Sequence, residues 1–265
     1  CKALVKAGCK SFFVASVNEA LAVRNLYKSV NIFLLSNSYN KNINIKLIKK
    51  NIILVLNNKK DLKILNNISK YLNKKVKCAI QFDIGMNRLG FDINEINYIK
   101  RYIRETIDVK LVIGHLSNSE KKSSLFNVNQ YNQYKKIKSY FKPYKINYSL
   151  ANSNAIYLGQ KFHYDMCRAG GILYGLNLSK MLPKKIKPVA SLKVKILQVR
   201  FVAKGSSIGY GAKYIVKKDS KIATLGIGYA DGLPRNYNGY LKYNGKKIKF
   251  VGNISMDLCN IDVTN

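Results

Sequence analysis

The segment QFDIGMNRLGF, at residues 81–91, places an arginine between glycines shortly after an apolar run. Only seven of the 47 lysine and arginine residues are arginine, so Arg88 is one of few. Its guanidinium is a rigid forked donor that suits carboxylate or planar groups, whereas a lysine ammonium is a point charge. Arg88 is therefore a candidate ligand anchor at the end of a predicted strand.

Further polar residues and glycines follow other predicted strands, where parallel α/β barrels carry their chemistry. Each of these residues could also have a purely structural role. A lone histidine is more often a hydrogen-bonded core residue, an Asn-Ser pair can cap a helix, and glycines can simply turn the chain. Together, however, they are expected at one end of one sheet. These candidates are His115, Asn152, Ser153, Arg168, Gly170 and Gly171.

A phosphorylated cofactor suits this set of residue types. Gly170 and Gly171 can bring backbone N–H groups close to a phosphate, and the hydroxyl of Ser153 adds another donor. Arg88 and Arg168 supply forked donors for planar or carboxylate groups. The residues alone therefore predict a site for a phosphate-bearing ligand without identifying it.

Short β-rich runs alternate with longer helical patterns over the first two-thirds of the chain. Ser16 and Glu19 predict a capping box, and apolar residues recur at helical spacing in 61–72, 93–103 and 131–141. This alternation predicts a parallel sheet covered by helices. We expect an α/β fold, a TIM-type (β/α)8 barrel that lacks its first strand, with an open doubly wound sheet as the alternative. The predicted strands are 12–16, 31–35, 52–56, 76–83, 109–116, 146–151 and 167–176.

The pattern changes near Pro183, where helical spacing gives way to β alternation. Residues 191–205 alternate with period two, and 240–252 predict a hairpin with a type I′ turn at Asn244 and Gly245. A second, mainly β domain is therefore expected to follow the barrel. The expected domains are 1–185, the barrel domain, and 186–265, a truncated β domain.

The net charge of +34 is compatible with a nucleic-acid partner, because dense positive charge binds phosphate through counterion release. Lysine nevertheless accompanies asparagine and isoleucine along the whole chain, and the cations form no single block or helical face. This distribution favours a general compositional bias and a solvated surface. We therefore expect no nucleic-acid partner.

Cysteine, histidine and apolar patterns narrow the class of protein further. Five cysteines without a C-x-x-C pair indicate reduced thiols, and two histidines without neighbouring ligands indicate no structural metal. The sequence has no apolar stretch of the length of a membrane span. We therefore expect a cytoplasmic protein without a metal or a membrane partner.

The segment FDIGMNRLGF is similar to the D-T-G-M-x-R-L-G element of alanine racemases, barrel enzymes that use pyridoxal 5′-phosphate. The resemblance extends nearly end to end, because further blocks match the family in order and spacing. The last three blocks distinguish alanine racemases from other barrels that hold this cofactor. The blocks are GHLSNSE, ANSNAI, CRAGGILYGL, IGYGAKY, GIGYADGLPR and VGNISMDLCNIDVT.

The resemblance implies a catalytic set of three residues. Tyr210 matches the tyrosine that exchanges the α-proton of alanine on one face. His115 matches the histidine bonded to that tyrosine, and Arg168 matches the arginine bonded to the pyridine nitrogen of the cofactor. Because arginine hardly gives up a proton, the ring nitrogen would stay unprotonated and the ring would be a weaker electron sink.

Binding roles follow from the same matches. Arg88 matches an arginine beside the cofactor hydroxyl and the substrate carboxylate. Tyr229 and Met256 match residues at the substrate entrance, Met256 through its backbone N–H. In the family, Tyr210, Tyr229 and Met256 come from the partner subunit, so the resemblance implies a homodimer with shared sites. The residues implied to bind the cofactor are Arg88, Asn152, Ser153, Arg168, Gly170 and Gly171.

Some family features are missing or changed. The lysine that bonds covalently to the cofactor, with a phosphate-binding tyrosine after it, would precede CKALVKAG, and another phosphate-binding tyrosine would follow Asn265. We therefore expect an internal fragment, inactive as it stands, of an enzyme that supplies D-alanine for peptidoglycan. Gln81 replaces a carbamylated lysine of many relatives, and we expect its carbonyl to accept from Arg88.

Two alternatives stay open. The substrate could be serine or another amino acid, because pocket residues cannot be resolved at this level. A protein of another class, a basic nucleic-acid binder or a non-catalytic carrier of pyridoxal phosphate, is the second alternative. The carrier is less favoured, because small carriers lack the β domain that holds IGYGAKY and GIGYADG.

Overall fold

Six parallel strands form one sheet in the N-terminal part of the chain, and they lie side by side in chain order. Helices connect successive strands, as expected of βα units. The strands are β1 (Ser11–Val14), β2 (Asn31–Leu34), β3 (Ile52–Leu56), β4 (Val76–Gln81), β5 (Ile107–Ile113) and β6 (Asn147–Ser149). The helices are α1 (Lys2–Lys6), α2 (Val17–Leu26), α3 (Lys41–Lys49), α4 (Lys59–Leu72), α5 (Ile96–Glu105) and α6 (Leu125–Tyr140).

This computed structural model describes residues 1–176 and 186–264. The chain divides into two units, Cys1–Val189 and Ala190–Asn265. Pro183 and the predicted end of the barrel domain at residue 185 lie outside the described residues. Within the described ranges, no helix combines the length and the apolar character that crossing a membrane requires.

Both faces of the sheet in the first unit are apolar. One cluster fills the space between the sheet and its helices, with Leu54 and Leu56 of β3 packed among helix residues such as Leu62. On the opposite face, Ile53 and Val55 belong to a second cluster. A strand that is buried on both faces reads as a continuous apolar run, which is why IILVL shows no alternation.

Side-chain caps fix where the helices begin. Ser16 Oγ accepts the N–H of Glu19 at 3.3 Å, and Glu19 Oε2 accepts the N–H of Ser16 at 3.1 Å, so the predicted capping box is confirmed. At α4, Asn58 Oδ1 accepts the N–H of Asp61 at 3.0 Å. Helices α2 and α4 therefore each begin three residues after a strand ends, so these two strand-to-helix loops are short.

The strand predicted at 167–176 is wrong. These residues form irregular backbone followed by the short 3-10 helix Gly171–Tyr174. The reason lies in the side chain of Ser153, whose Oγ accepts the N–H groups of Gly170 and Ile172 that a strand would offer to a neighbour. Gly170 also has φ −124° and ψ −91°, which is not extended backbone. The described part of the first unit is thus a half-barrel of six strands.

The second unit is built on a five-stranded antiparallel sheet in the order β11-β12-β13-β10-β7, with a separate two-stranded sheet of β8 and β9. The predicted hairpin is confirmed, since Asn244 and Gly245 join β11 to β12 with φ of 46° and 79°, both positive as a type I′ turn requires. The strands are β7 (Ile196–Val202), β8 (Ser207–Ile208), β9 (Tyr214–Ile215), β10 (Ser220–Leu225), β11 (Tyr240–Tyr243), β12 (Lys246–Val251) and β13 (Cys259–Asp262).

Candidate active site

Arg168 is the centre of a hydrogen-bonded cluster at the carboxyl ends of β5 and β6. Its Nη1 donates to Ser149 O at 2.9 Å and to Ser149 Oγ at 2.5 Å. Its Nη2 donates to Gly114 O at 2.7 Å and lies 3.3 Å from Nδ1 of His115. Because a guanidinium only donates, Nδ1 must be the acceptor, so neutral His115 carries its proton on Nε2.

Burial and charge together make His115 a weak base. Burial, and then the positive charges of Arg168 and Arg88, lower the pKa of His115 to about 4. Burial also lowers the pKa of Arg168 to about 10, which still leaves its guanidinium charged at neutral pH. At pH 7 the cluster therefore combines a neutral imidazole with a cation that holds its proton.

Ser153 and Gly170 form a compact group of hydrogen-bond donors next to this cluster in sequence. Ser153 Oγ accepts the N–H of Gly170 at 2.9 Å and that of Ile172 at 3.3 Å, so its own proton is free for a further acceptor. A Cβ on Gly170 would lie 4.0 Å from Ser153 Oγ, in contact with it. Backbone N–H groups and a hydroxyl gathered in this way suit an anionic oxygen.

Asn152 supports the Ser153 loop through its side-chain amide. Its Nδ2 donates to Leu116 O at 3.1 Å, and its Oδ1 accepts from Ser119 Oγ at 2.8 Å and from the N–H of Ala155 at 3.1 Å. The bond to Ala155 is the capping role that the sequence allowed as the structural interpretation. Protein groups thus occupy both ends of the Asn152 amide.

Arg88 lies on a loop that a single carboxylate organises. Asp83 Oδ1 accepts the N–H groups of Gly85, Met86 and Asn87 at 2.9, 2.9 and 3.1 Å. Burial alone would raise the pKa of Asp83, but these backbone hydrogen bonds outweigh it and lower the pKa. Arg88 itself is exposed on the loop, as a residue that meets a ligand would be.

Glycine is required at the far end of this loop. Gly90 has φ +127°, and a Cβ there would lie 2.4 Å from the N of Asp83. This close approach lets the N–H of Phe91 donate to Gln81 O at 2.8 Å and the N–H of Asp83 donate to Phe91 O at 3.0 Å. Backbone hydrogen bonds therefore hold the two ends of the loop together.

The expected hydrogen bond between Gln81 and Arg88 is not found in the part of the chain that the structure describes. Gln81 Nε2 instead donates to the backbone oxygen of Leu89 at 3.0 Å. A carbonyl one residue along the loop satisfies the amide without ordering a long exposed side chain. Gln81 thus supports the loop backbone, and the prediction about its partner was wrong.

Three predicted residues form a second group within the other unit. Tyr229 and Met256 are joined by backbone hydrogen bonds, because the N–H of Ala230 donates to Met256 O at 2.9 Å and that of Tyr229 to Ser255 O at 3.0 Å. Tyr210 is tied to the same loop, since Asn253 Nδ2 donates to Tyr210 O at 2.8 Å. All three side chains are exposed, Tyr210 most of all at 70%.

Two residues of α6 that are not among the predicted site residues contact the first group. Gln130 and Tyr134 are buried polar residues on one face of α6, and both bond to the strand ends that carry His115 and Arg168. Their spacing of four within QYNQY, residues 130–134, is the available sequence signal, because it places two polar side chains on a face that should be apolar.

Family models match almost the whole chain. The model described as "Alanine racemase, N-terminal domain" matches residues 1–178, and "Alanine racemase, C-terminal domain" matches residues 189–265. The family prediction made from the sequence is confirmed by these matches.

Relatives of similar sequence are alanine racemases from Rickettsia. The alanine racemase of Rickettsia bellii is 39% identical over 270 residues, which cover 100% of this chain and 65% of that protein. The alanine racemase of Rickettsia africae is 39% identical over 269 residues, which cover 100% of this chain and 73% of that protein. The chain therefore spans about two-thirds of the length of these relatives.

Solved structures of alanine racemases share the fold. The crystal structure from Bartonella henselae, with covalently bound pyridoxal phosphate, has a TM-score of 0.87 at 34% identity, covering 99% of this chain and 74% of that one. The crystal structure from Bacillus anthracis, with bound L-Ala-P, has a TM-score of 0.83 at 28% identity, covering 100% and 71%.

Proposed function

We propose that this chain, which belongs to the alanine racemase family, acts in the pyridoxal-phosphate-dependent interconversion of L-alanine and D-alanine. The observation that carries the proposal is the contact of Arg168 with Nδ1 of His115. Gly170, whose N–H donates to Ser153 Oγ, lies two residues after Arg168. That arrangement couples a fixed cation, a neutral imidazole of one tautomer and a phosphate-type donor group.

Pyridoxal 5′-phosphate fits the donor set of the first unit. We assign its phosphate to the hydroxyl of Ser153, to the N–H of Gly171 and to the N–H of Gly170, which would turn from Ser153 Oγ to the phosphate. Asn152 steadies the Ser153 loop through its contacts with protein groups. We assign the ring nitrogen to Arg168, whose Nε makes no hydrogen bond to any residue in the described ranges.

When bound, the cofactor supplies an electron sink that acidifies the α-proton of the amino acid. Arg168 donates a hydrogen bond to the ring nitrogen but keeps its proton, because a pKa of about 10 is far above that of a pyridine. A ring held by Arg168 in this way would stay uncharged and would supply a modest electron sink, which would favour return of the α-proton over transamination. Arg168 thus favours racemisation over the competing reaction.

Tyr210 is the proposed proton carrier on one face of the α-carbon. An ordinary tyrosine titrates near pH ~10, so it needs help to act as a base at neutral pH. His115, with its proton on Nε2, can donate a hydrogen bond that stabilises the phenolate. Since Tyr210, Tyr229 and Met256 are all exposed, we propose that they complete the site of a second copy in a homodimer.

Arg88 and the exposed pair of the second unit are assigned to the substrate. Arg88 presents a forked donor for the alanine carboxylate and the cofactor hydroxyl. Tyr229 and Met256 line the entrance, with the backbone N–H of Met256 as a further donor. An entrance built from two bulky side chains favours a small amino acid such as alanine.

We extend the proposal to the whole molecule in the same terms. The proposed domains are a pyridoxal-phosphate domain of the (β/α)8 barrel type at 1–185 and a β domain at 186–265, and the boundary between the two units, after Val189, lies close to this division. The enzyme works in the cytoplasm, supplies D-alanine for peptidoglycan, and has neither a nucleic-acid nor a membrane partner. The five cysteines, all unpaired in the structure, agree with a reducing compartment.

A racemase assay tests the proposal directly. The protein in its full-length form is purified, supplied with pyridoxal 5′-phosphate and given L-alanine, L-serine or another L-amino acid. We expect cofactor absorbance in the visible range and formation of D-alanine faster than any other D-amino acid. A tenfold preference for serine would assign a different racemase, and tight RNA binding without cofactor uptake would contradict the proposal altogether.

A further inference from the structure

Two buried polar residues of α6 contact the strand ends that carry the candidate catalytic residues. Gln130 is 2% exposed and Tyr134 is 0% exposed, and they lie four residues apart on one face of the helix. Burying polar groups costs free energy unless their hydrogen bonds are made, so such a pair needs a reason. The hydrogen bonds that the two side chains make supply that reason.

Tyr134 is bonded to the same residue that holds Arg168. Its hydroxyl contacts Val112 O at 2.7 Å and Ser149 O at 3.1 Å, and it accepts the N–H of Ser149 at 2.9 Å. Ser149 in turn accepts Nη1 of Arg168 through both its backbone oxygen and its Oγ. Ser149 therefore links the phenol of Tyr134 to the guanidinium of Arg168.

The ring of Tyr134 also occupies the space beside Gly114. A Cβ on Gly114 would lie 2.7 Å from Cδ2 of Tyr134, so glycine is needed there for the ring to fit. Gly114 O is the acceptor of Arg168 Nη2, and His115 is the next residue. Tyr134 thus contacts both Gly114, which follows β5, and Ser149 of β6, and the backbone oxygens of these two residues accept from Arg168.

Gln130 fixes the segment that follows His115. Its Nε2 donates to His115 O at 3.2 Å, and its Oε1 accepts from the N–H of Ser117 at 2.9 Å and from Ser117 Oγ at 3.1 Å. These contacts set the direction in which the chain leaves β5. Gln130 therefore limits the orientation of His115 from the backbone side.

We propose that Gln130 and Tyr134 are positioning residues that hold His115 and Arg168 in the geometry in which Nδ1 of His115 accepts from Arg168 and Nε2 keeps the proton. Neither side chain needs to touch cofactor or substrate for this role. Their importance for turnover rests on the proposed function, but the geometry itself can be observed without any reaction.

Nuclear magnetic resonance of the histidine rings tests the inference on the printed chain. The chain has two histidines, and His163, whose Nε2 lies 2.8 Å from Ile156 O, makes no hydrogen bond to Gln130 or Tyr134, so its ring serves as an internal reference. Ring nitrogen shifts report the tautomer, and their titration reports the pKa. We expect His115 in the Nε2–H form, with a pKa well below that of a free histidine.

Two variants and two matched controls are compared. Tyr134→Phe keeps the ring but removes the hydroxyl, and Gln130→Met removes the amide at similar volume. Tyr140→Phe and Gln133→Met make the same changes at exposed positions of α6. We expect both test variants to mix the His115 tautomers and raise its pKa by about one unit, as the contact with Arg168 loosens, while both controls match the parent chain.

The outcomes separate positioning from simple stabilisation. Test variants that lower the melting temperature while the His115 signals stay at their parental values would overturn the inference. If Tyr134→Phe does not fold, Gln130→Met decides by the same signals. If the His115 signals change in the test variants but the protein takes up no cofactor, only the proposed function is contradicted. If the protein racemises alanine but the His115 signals do not change in either test variant, only this inference is contradicted.

Discussion

The two groups of candidate residues differ in how their side chains are held. Around Arg168, side chains are fixed by side-chain hydrogen bonds to strand ends, and His115 is half-buried. Around Tyr210, the backbone is fixed while the side chain is 70% exposed. The first arrangement tunes pKa values through burial, whereas the second offers a reactive group to whatever covers it. Substitutions should therefore affect folding in the first group and chemistry alone in the second.

The largest effect on stability is expected for Arg168→Lys. A lysine cannot reach Ser149 O, Gly114 O and His115 Nδ1 together, so half-buried acceptors lose their donors, at a cost of about 3 kcal/mol. Urea unfolding measures the free energy, with Arg101→Lys, exposed on α5, as the control. Equal stability of the two variants would show that the cluster contributes nothing to folding.

A pH effect of similar size follows from His115. Its pKa is about 4 when folded and about 6.5 when unfolded, so between these values the unfolded chain binds more protons. Stability is therefore fully present above about pH 6.5 and falls as the pH drops towards 4, by up to about 3 kcal/mol. His115→Gln should flatten this part of the unfolding curve relative to the parent, and an unchanged slope would contradict the assignment.

Removing the hydroxyl of Ser153 should have a moderate effect. Ser153→Ala leaves the N–H groups of Gly170 and Ile172 without their acceptor, at a cost of about 1 kcal/mol. Pyridoxal 5′-phosphate should also bind about tenfold more weakly, as measured by fluorescence titration. Ser139→Ala, which removes an exposed hydroxyl of α6, is the control and should change neither quantity. Unweakened cofactor binding in Ser153→Ala would remove Ser153 from the phosphate site.

The smallest effect on stability is expected for Tyr210→Phe. The exposed hydroxyl can be lost with less than about 0.5 kcal/mol of change, as for most surface substitutions. In the active enzyme, however, turnover should fall by about 10²–10⁴-fold, the usual contribution of a general acid or base. Tyr240→Phe, 55% exposed in the same unit, should change neither. Parental turnover in Tyr210→Phe would exclude it as the proton carrier.

Local sequence rules predicted those elements whose structure is determined by neighbouring residues. The capping box at Ser16 and the turn at Asn244-Gly245 were correct because each depends on residues within four positions. Six of the seven strands predicted for the first domain were found, the strand at 52–56 with the predicted ends and the other five with shifted ends. For the family motif around Arg88, the resemblance identified the residues, but the local pattern alone did not identify the ligand.

Predictions failed where a distant residue decides the structure. Residues 167–176 were assigned to a strand because the sequence does not reveal that Ser153 takes their N–H groups. The carbonyl of Gln81 was expected to accept from Arg88, whereas its amide instead donates through Nε2 to the backbone oxygen of Leu89. Gln130 and Tyr134 were overlooked, because their partners at 115–117, 112 and 149 come together only through the parallel pairing of β5 with β6.

Gly228 has a consequence for motion in the second unit. A Cβ on this residue would lie 2.1 Å from Met256 O, so the turn that begins with Tyr229 is pressed directly against the loop of Met256. Two segments in such close backbone contact cannot slide or hinge separately, and any displacement must carry both side chains as one rigid block. The fold thus sets the backbone positions of Tyr229 and Met256 relative to each other.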